Sequence, residues 1–319
     1  MSTGHRVGLA GFAMFAAGGI CHAQYPERPV RVIVPFAPGG GTDITVRLLA
    51  AKLTDAMGQS YVVDNRPGAG SMIGTEIAAR ATADGYTLLG VSPEFTVNPS
   101  LQPKVPFDAL RDFAPIMRIT LGQYFLAVRL NVQATSVKAL IAYAKANPKA
   151  LSYGSSGNGS ANHLAGELFK SMAGVEMVHI PYRGSGQSNA AFLAGDVQVL
   201  FSSTTAIVPH VNAGRVRALA VTGPKRSPIA PNTPTVSEAG LPGYEVTGWY
   251  GIIAPAKTPT AIIERLNTEA NRALPSLKER YADLGSETVG GTARDFAEFL
   301  SQDLAKWAKV VKSSGARPD

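Results

Sequence analysis

Val30-Arg31-Val32-Ile33-Val34-Pro35-Phe36-Ala37-Pro38-Gly39-Gly40-Gly41-Thr42-Asp43 decides the fold. Its β-branched first half predicts a strand over 30–36, and the glycine run that follows predicts a tight turn. Thr42-Asp43 offers an N-cap, after which Ile44, Leu48, Leu49, Leu53 and Met57 recur at helical spacing. Outward from this unit the pattern continues with a strand at 61–63, a helix at 74–83 and a strand at 86–91. A βαβαβ order argues for a parallel sheet with helices on both faces.

A second set of units follows: a strand at 125–128, a helix capped by Ser136 and closed by Asn147-Pro148, a short strand at 151–153, a glycine-serine turn, and a helix at 161–172. Further strands are expected at 176–180, 197–201, 216–221 and 249–254. Helices are expected at 260–273, 276–284 and 292–313. In the last of these Phe296, Phe299, Leu300, Leu304, Trp307 and Val311 form one apolar stripe, read as core. The proline-rich stretch 224–242 reads as an ordered loop with one short helix near 236–239. No sequence repeat or low-complexity tract interrupts the chain.

Residues 1–23 stand apart. Arg6, the apolar run 7–20 and the small-residue site Cys21-His22-Ala23 form a secretory signal, with cleavage expected after Ala23. The run is about 21 Å long as a helix, short of the roughly 30 Å hydrocarbon core. The expected product is soluble and exported. Cys21 is the sole cysteine, so the mature chain holds no disulfide or thiol nucleophile. The chain carries 30 basic and 23 acidic residues, and loss of Arg6 leaves a net charge of +6. The basic residues are scattered, which argues against a nucleic-acid groove.

Two glycine-rich turns each link a strand to a helix: Phe36 to Asp43, with Pro38, Gly39, Gly40, Gly41 and Thr42, and Ser155 to His163, with Ser156, Asn158, Ser160 and Asn162. A helix start exposes unpartnered N–H groups at the positive end of the macrodipole, and glycine allows close approach. Each turn is an anion seat by this reading, and two in separate halves favour binding over ordinary capping. Tyr182-Arg183-Gly184 is a third candidate: Arg183 is either a paired donor to a carboxylate or a solvated rim charge. His163 either lines the cleft or is structural. Enzyme motifs fail. Gly68 to Gly74 is one residue too long for a dinucleotide fingerprint, and there is neither a Walker lysine nor a Gly-x-Ser-x-Gly elbow. His163, His179 and His210 show no metal-ligand spacing, so no metal or cofactor is expected. Asp43 and Glu94 are the only acid–base pair suggested.

Many separate stretches then match one family in order: Val34-Pro35-Phe36-Ala37-Pro38-Gly39-Gly40, Val63-Asp64-Asn65-Arg66-Pro67-Gly68, Asp84-Gly85-Tyr86-Thr87, Asn98-Pro99-Ser100-Leu101, Asp112-Phe113-Ala114-Pro115, Gly157-Asn158-Gly159-Ser160, Pro181-Tyr182-Arg183-Gly184 and Arg217-Ala218-Leu219-Ala220. The chain resembles the tripartite tricarboxylate transporter substrate-binding family, the Bug receptors. The resemblance implies a type II periplasmic-binding-protein fold, two α/β lobes joined by two crossing strands. Lobe one would be 24–121 plus 249–319, and lobe two 122–248. It implies that the first glycine loop holds one ligand carboxylate while the 155–163 turn and the Tyr182-Arg183 loop close from the other lobe. Ser92 and Glu94 fall in the loop after the third strand, which faces the cleft in similar receptors. Ser202-Ser203 stand where many relatives place Asp-Asn. The expected protein is a monomeric receptor, not an enzyme, delivering a small carboxylate (di- or tricarboxylate, aromatic acid or amino acid) to transporter membrane subunits. An exported sensor feeding a sensor kinase, or an exported enzyme using Asp43 and Glu94, are the alternatives.

Overall fold

The computed structural model describes residue 1, residues 25–182 and residues 184–314. Residues 2–24, which hold the expected leader and its cleavage site, and Arg183 lie outside the described residues. In chain order the elements are β1 (Val30–Val34), α1 (Gly41–Met57), β2 (Tyr61–Asn65), α2 (Met72–Ala79), β3 (Thr87–Val91), α3 (Glu94–Leu101), β4 (Phe113–Arg129), α4 (Val137–Ala146), β5 (Ser152–Ser155) and α5 (Ala161–Ala173). They continue with β6 (Val178–Pro181), α6 (Ser185–Ala194), β7 (Val199–Ser203), α7 (Thr204–Asn212), β8 (Val216–Val221), β9 (Thr247–Pro255), α8 (Thr260–Asp283), β10 (Ser286–Thr288) and α9 (Ala293–Ser314).

The two halves share one topology without sharing sequence. In the first lobe β2, β1 and β3 are parallel, followed by antiparallel β9 and then β4. In the second, β6, β5 and β7 are parallel, followed by antiparallel β4 and then β8. The 17-residue β4 serves both: Phe113 to Gln123 pair with β9, and Tyr124 to Arg129 with β7 and β8. The chain crosses along β4 and returns into β9. Gly122 pairs with Gly248 where the two strands change lobes. A Cβ on Gly248 would lie 2.7 Å from the Tyr124 hydroxyl, so glycine there lets the Tyr124 ring lie against the crossing. This is the two-lobed α/β arrangement expected of a type II periplasmic binding protein.

Each lobe has its own cores. Val32, Leu49, Ile116, Leu266 and Tyr281 share one, and Leu89, Phe95, Trp249, Phe296 and Leu300 an adjoining one. Tyr153, Leu164, Phe169, Phe201 and Tyr244 fill the second lobe. Trp307 and Val311 of α9, with Val97 and Leu101 of α3, join that second-lobe cluster. The α9 stripe is thus core as expected, but it straps both lobes rather than one.

Three local expectations change. Residues 260–284 form the single helix α8 with Pro275 inside it. Its buried stripe of Ile263, Leu266, Ala270, Leu274, Leu277 and Tyr281 runs unbroken past the proline, and that packing outweighs the missing N–H. The 236–239 segment makes one turn only, because Val236 N donates to Val221 O at 2.8 Å and ties it to β8. α3, α6 and α7 are helices with no counterpart among the expected elements.

Candidate functional site

Both glycine loops leave the carboxyl end of the middle strand of a parallel trio, β1 in one lobe and β5 in the other. That is where open α/β sheets bind ligands. α1 begins at Gly41, before the expected Thr42-Asp43 cap. Its N-cap, Gly40, makes no side-chain capping bond, and the first intrahelical bond runs from Ile44 N to Gly40 O at 3.0 Å. The seat at this helix start therefore has no cap of its own. Ala37, Pro38, Gly39 and Gly41 are exposed, and Thr42 is buried beneath them.

Asp43 shapes this loop from below. Its carboxylate accepts from Gly39 N at 2.9 Å, Arg47 Nε at 2.9 Å and Asn65 Nδ2 at 2.8 Å. Asn65 Nδ2 also reaches Phe36 O at 3.0 Å, so both flanks of the turn are tied to one buried acid. Burial alone would raise the Asp43 pKa, but the bonds from Arg47, Gly39 and Asn65 outweigh it and hold it below the ordinary carboxylate range. The Asp43 oxygens, expected at the ligand, are engaged by Gly39, Arg47 and Asn65 and hold the loop in place. Replacing Asp43 with alanine removes the acceptor of the Gly39 amide and of two side-chain donors. The expected loss of stability is about 2 to 3 kcal/mol, read from urea denaturation.

The second loop is a closed hydrogen-bonded knot. Ser155 Oγ lies 2.6 Å from His179 Nε2 and accepts from Gly157 N at 3.1 Å. Ser156 Oγ donates to Asn162 Oδ1 at 2.9 Å, and Ser160 Oγ lies 2.6 Å from both Gly157 O and Asn162 Oδ1. Gly159 N donates to His163 Nδ1 at 3.0 Å, and Ser160 Oγ caps α5 by accepting from His163 N. Asn158 sits at the partly exposed tip. The hydroxyls of Ser155 and Ser160 find partners within and beneath the loop and set its shape.

Beneath the loop the rings of Tyr153, His179 and His163 stack, with centroids 4.9 Å and 4.1 Å apart. Burial, then the charges of His163 and Lys170, push His179 down to about 3 from its ordinary 6.5. The unfolded chain therefore binds a proton that the folded chain refuses. Stability from this group is complete above 6.5 and is lost as pH falls from 6.5 toward 3. Glu94 and Asp303, both raised by burial, act in the opposite sense. A His179→Phe variant keeps the stack without the titration. Its melting temperature should fall less than that of the natural chain between pH 7 and pH 4, and identical slopes would refute the assignment.

Glu94 opens α3, its carboxylate accepts from Ser92 Oγ at 2.6 Å, and burial raises its pKa above the ordinary carboxylate range. Protein surrounds Glu94, Tyr124 and Tyr250, yet each keeps partial exposure, as residues on a cleft floor do. Burial first, then the Glu94 charge, raises Tyr250; Tyr124 is raised by burial and by Tyr250 and Glu94 together. The Tyr250 hydroxyl touches the backbone at Gly41, where a Cβ would lie 2.1 Å from it. The Tyr250 side chain is therefore held against the α1 start. Tyr124 and Tyr250 escaped the sequence reading, although strand alternation beside the buried Trp249 puts Tyr250 on the other face of β9.

The remaining expected residues frame this centre. Tyr182 packs beside the second loop, donating its amide to Ser155 O at 3.0 Å, and Gly184 is the N-cap of α6. Ser202 Oγ donates to Asn189 Oδ1 at 2.8 Å, while Ser203 caps α7 without a side-chain bond and pairs with Tyr124. Among the described residues no group of three His, Cys, Asp or Glu is placed to hold a metal, and no helix is long and apolar enough to cross a membrane. A groove of about 600 Å³ between the end of α3 and α9, lined by Pro103, Phe107, Leu110 and Leu304 among others, lies away from both loops.

Two α/β lobes joined by crossing strands, each with a glycine loop running into a helix start, have the architecture of a solute-binding protein. The family described as tripartite tricarboxylate transporter family receptor matches residues 45–316, and the chain belongs to it. Among solved structures, R. palustris Rpa4515 with adipate is 38% identical, with a TM-score of 0.86 over 92% of this chain and 100% of that one. The periplasmic binding protein BugD is 34% identical, with a TM-score of 0.83 over 92% and 100%. MatC from Rhodopseudomonas palustris with bound malate is 29% identical, with a TM-score of 0.82 over 90% and 100%. The chain is a solute-binding receptor and not an enzyme, and its family works in the periplasm.

Proposed function

We propose that this chain is exported by cleavage after Ala23 and captures a small organic carboxylate in the periplasm for the membrane subunits of a tripartite tricarboxylate-type transporter. Lobe one is taken as 24–121 with 249–319 and lobe two as 122–248, in keeping with the crossing at Gly122 and Gly248. The observation that carries the reading is the start of α1: a helix N-terminus with no side-chain cap, its glycine loop exposed and fixed from below by Asp43. The adipate and malate held by similar receptors are the kind of anion such a seat takes.

Magnitudes suit capture without chemistry. A micromolar dissociation constant corresponds to about 8 kcal/mol. Hydrogen bonds to a charged group contribute about 1.5 to 3 kcal/mol each, partly offset by the cost of association. A few amides on one carboxylate, with burial of the ligand body, reach that range. The test is thermal shift and small-angle scattering of the mature protein against mono-, di- and aromatic carboxylates and amino acids. At least one should raise the melting temperature and shrink the scattering radius without being consumed. A panel that moves neither would refute the reading.

A further inference from the structure

We propose that Asn98 and Leu101, at the far end of α3, are positioning residues for ligand capture: from the first lobe they hold the tip of the second-lobe glycine loop in place. Both are buried, so they act through the loop and not on the ligand. This inference rests on the receptor reading above, with that loop as the wall opposite the α1 seat.

Gly159 has no room for a side chain. Its φ is +76°, and a Cβ there would stand 2.4 Å from Leu101 Cδ2 and 3.6 Å from Asn98 Oδ1. The loop backbone therefore lies directly on α3 side chains, across the lobe boundary. Asn98 is 1% exposed, and its Nδ2 donates to Gly70 O at 2.7 Å and to Ser71 Oγ at 3.3 Å. That tie falls on Ala69, Gly70 and Ser71, which run at positive φ of 46°, 60° and 82°. Such a conformation is natural for Gly70 and strained for the other two, so it persists only where the surroundings hold it. Asn98 thus faces Gly70 in one lobe and Gly159 in the other.

α3 is a firm base for this contact. Phe95 packs in a first-lobe core, while Val97 and Leu101 belong to the second-lobe cluster with Leu164 and Phe169. Thr96 Oγ1 donates to Asp303 at 2.6 Å, and Asp303 also takes Trp249 Nε1 at 3.0 Å. Contacts therefore run without a break from the crossing strand β9, through α9 and α3, to Gly159. The bonds of Ser155, Ser160 and His163 fix the internal shape of the loop, and α3 fixes where its tip stands relative to the first lobe. The stretch Asn98-Pro99-Ser100-Leu101 carries part of the family resemblance, and this contact gives it a role.

The test is hydrogen exchange of the ligand-free mature protein, read over residues 156–160, beside calorimetry with adipate and with malate. The amides of Ser156, Gly157, Gly159 and Ser160 all have acceptors in the loop or at the α5 start, so their protection reports its order. Leu101→Ala and Asn98→Ala should each speed this exchange about tenfold and weaken whichever anion binds by about the same factor. Phe95→Leu, buried on α3 toward the first-lobe core, is the control. It should lower the melting temperature yet leave loop exchange and affinity within about twofold. Loop exchange that stays unchanged in the alanine variants, or rises as much in Phe95→Leu, overturns the inference. So does faster exchange with unchanged affinity. If the natural chain binds neither anion, the carboxylate reading fails for these two while exchange still decides whether α3 holds the loop. Should Leu101→Ala fail to fold, Asn98→Ala decides the matter alone.

Discussion

Replacing Gly41 by alanine weakens carboxylate binding by roughly 10- to 100-fold while the protein stays folded. The backbone of Gly41 is helical and needs no positive φ, so alanine is tolerated by α1 itself. What it does not tolerate is Tyr250: the new methyl would stand 2.1 Å from the hydroxyl and 2.8 Å from the ring carbon that bears it. The ring has two torsions and is enclosed by protein, so relief requires it to swing into the cleft or the loop to lift. Either shift misaligns the amides of the seat. Losing one charge-assisted hydrogen bond, at about 1.5 to 3 kcal/mol, gives the stated range. Calorimetry measures it, and the double change Gly41→Ala with Tyr250→Ala should recover part of the loss. An unchanged dissociation constant in the single variant would place the ligand elsewhere.

Trp249→Ala should have the largest effect on stability, about 3 to 5 kcal/mol from the lost side chain and its cavity. Trp249 is 1% exposed and meets Phe296 and Phe299 edge to face, with centroids 5.8 Å and 5.4 Å away. Its Nε1 donates at 3.0 Å to Asp303, whose carboxylate also takes the Thr96 hydroxyl at 2.6 Å. The substitution therefore loosens the junction of β9, α3 and α9 and leaves a buried acid short of a donor. Trp249→Phe restores the packing but not the bond and should recover more than half of the loss. Urea denaturation of the ligand-free protein checks both, and a loss under about 1 kcal/mol for alanine would contradict the packing account.

The elements that were legible are those whose apolar residues keep one period. β1, α1, α5 and α9 follow their patterns to within a few residues. α3 did not announce itself, because Glu94-Phe95-Thr96-Val97-Asn98-Pro99 is β-branched, carries a proline and lacks a helical stripe. It is held as a helix by burial of Phe95, Val97 and Leu101. α7, with Ile207, Val208 and Pro209, is hidden for the same reason. At the site, the glycine loops were readable because turn chemistry is local. The approach of the Tyr250 hydroxyl to Gly41 was not, since it joins residues far apart in sequence that meet only when β9 is laid beside β3. The inward turn of Ser155 and Ser160 was equally hidden. A hydroxyl's partner is chosen by the fold of its loop and not by its neighbours in the chain.

The measurement that bears most directly on the central claim is a crystal structure of the mature protein with the tightest-binding carboxylate. The account predicts a ligand carboxylate within about 2.7 to 3.2 Å of backbone amides between Gly39 and Asp43, beneath the Tyr250 hydroxyl. A ligand bound with its carboxylate on the α5 start or in the groove beside α9, and with the α1 amides left to solvent, would contradict it.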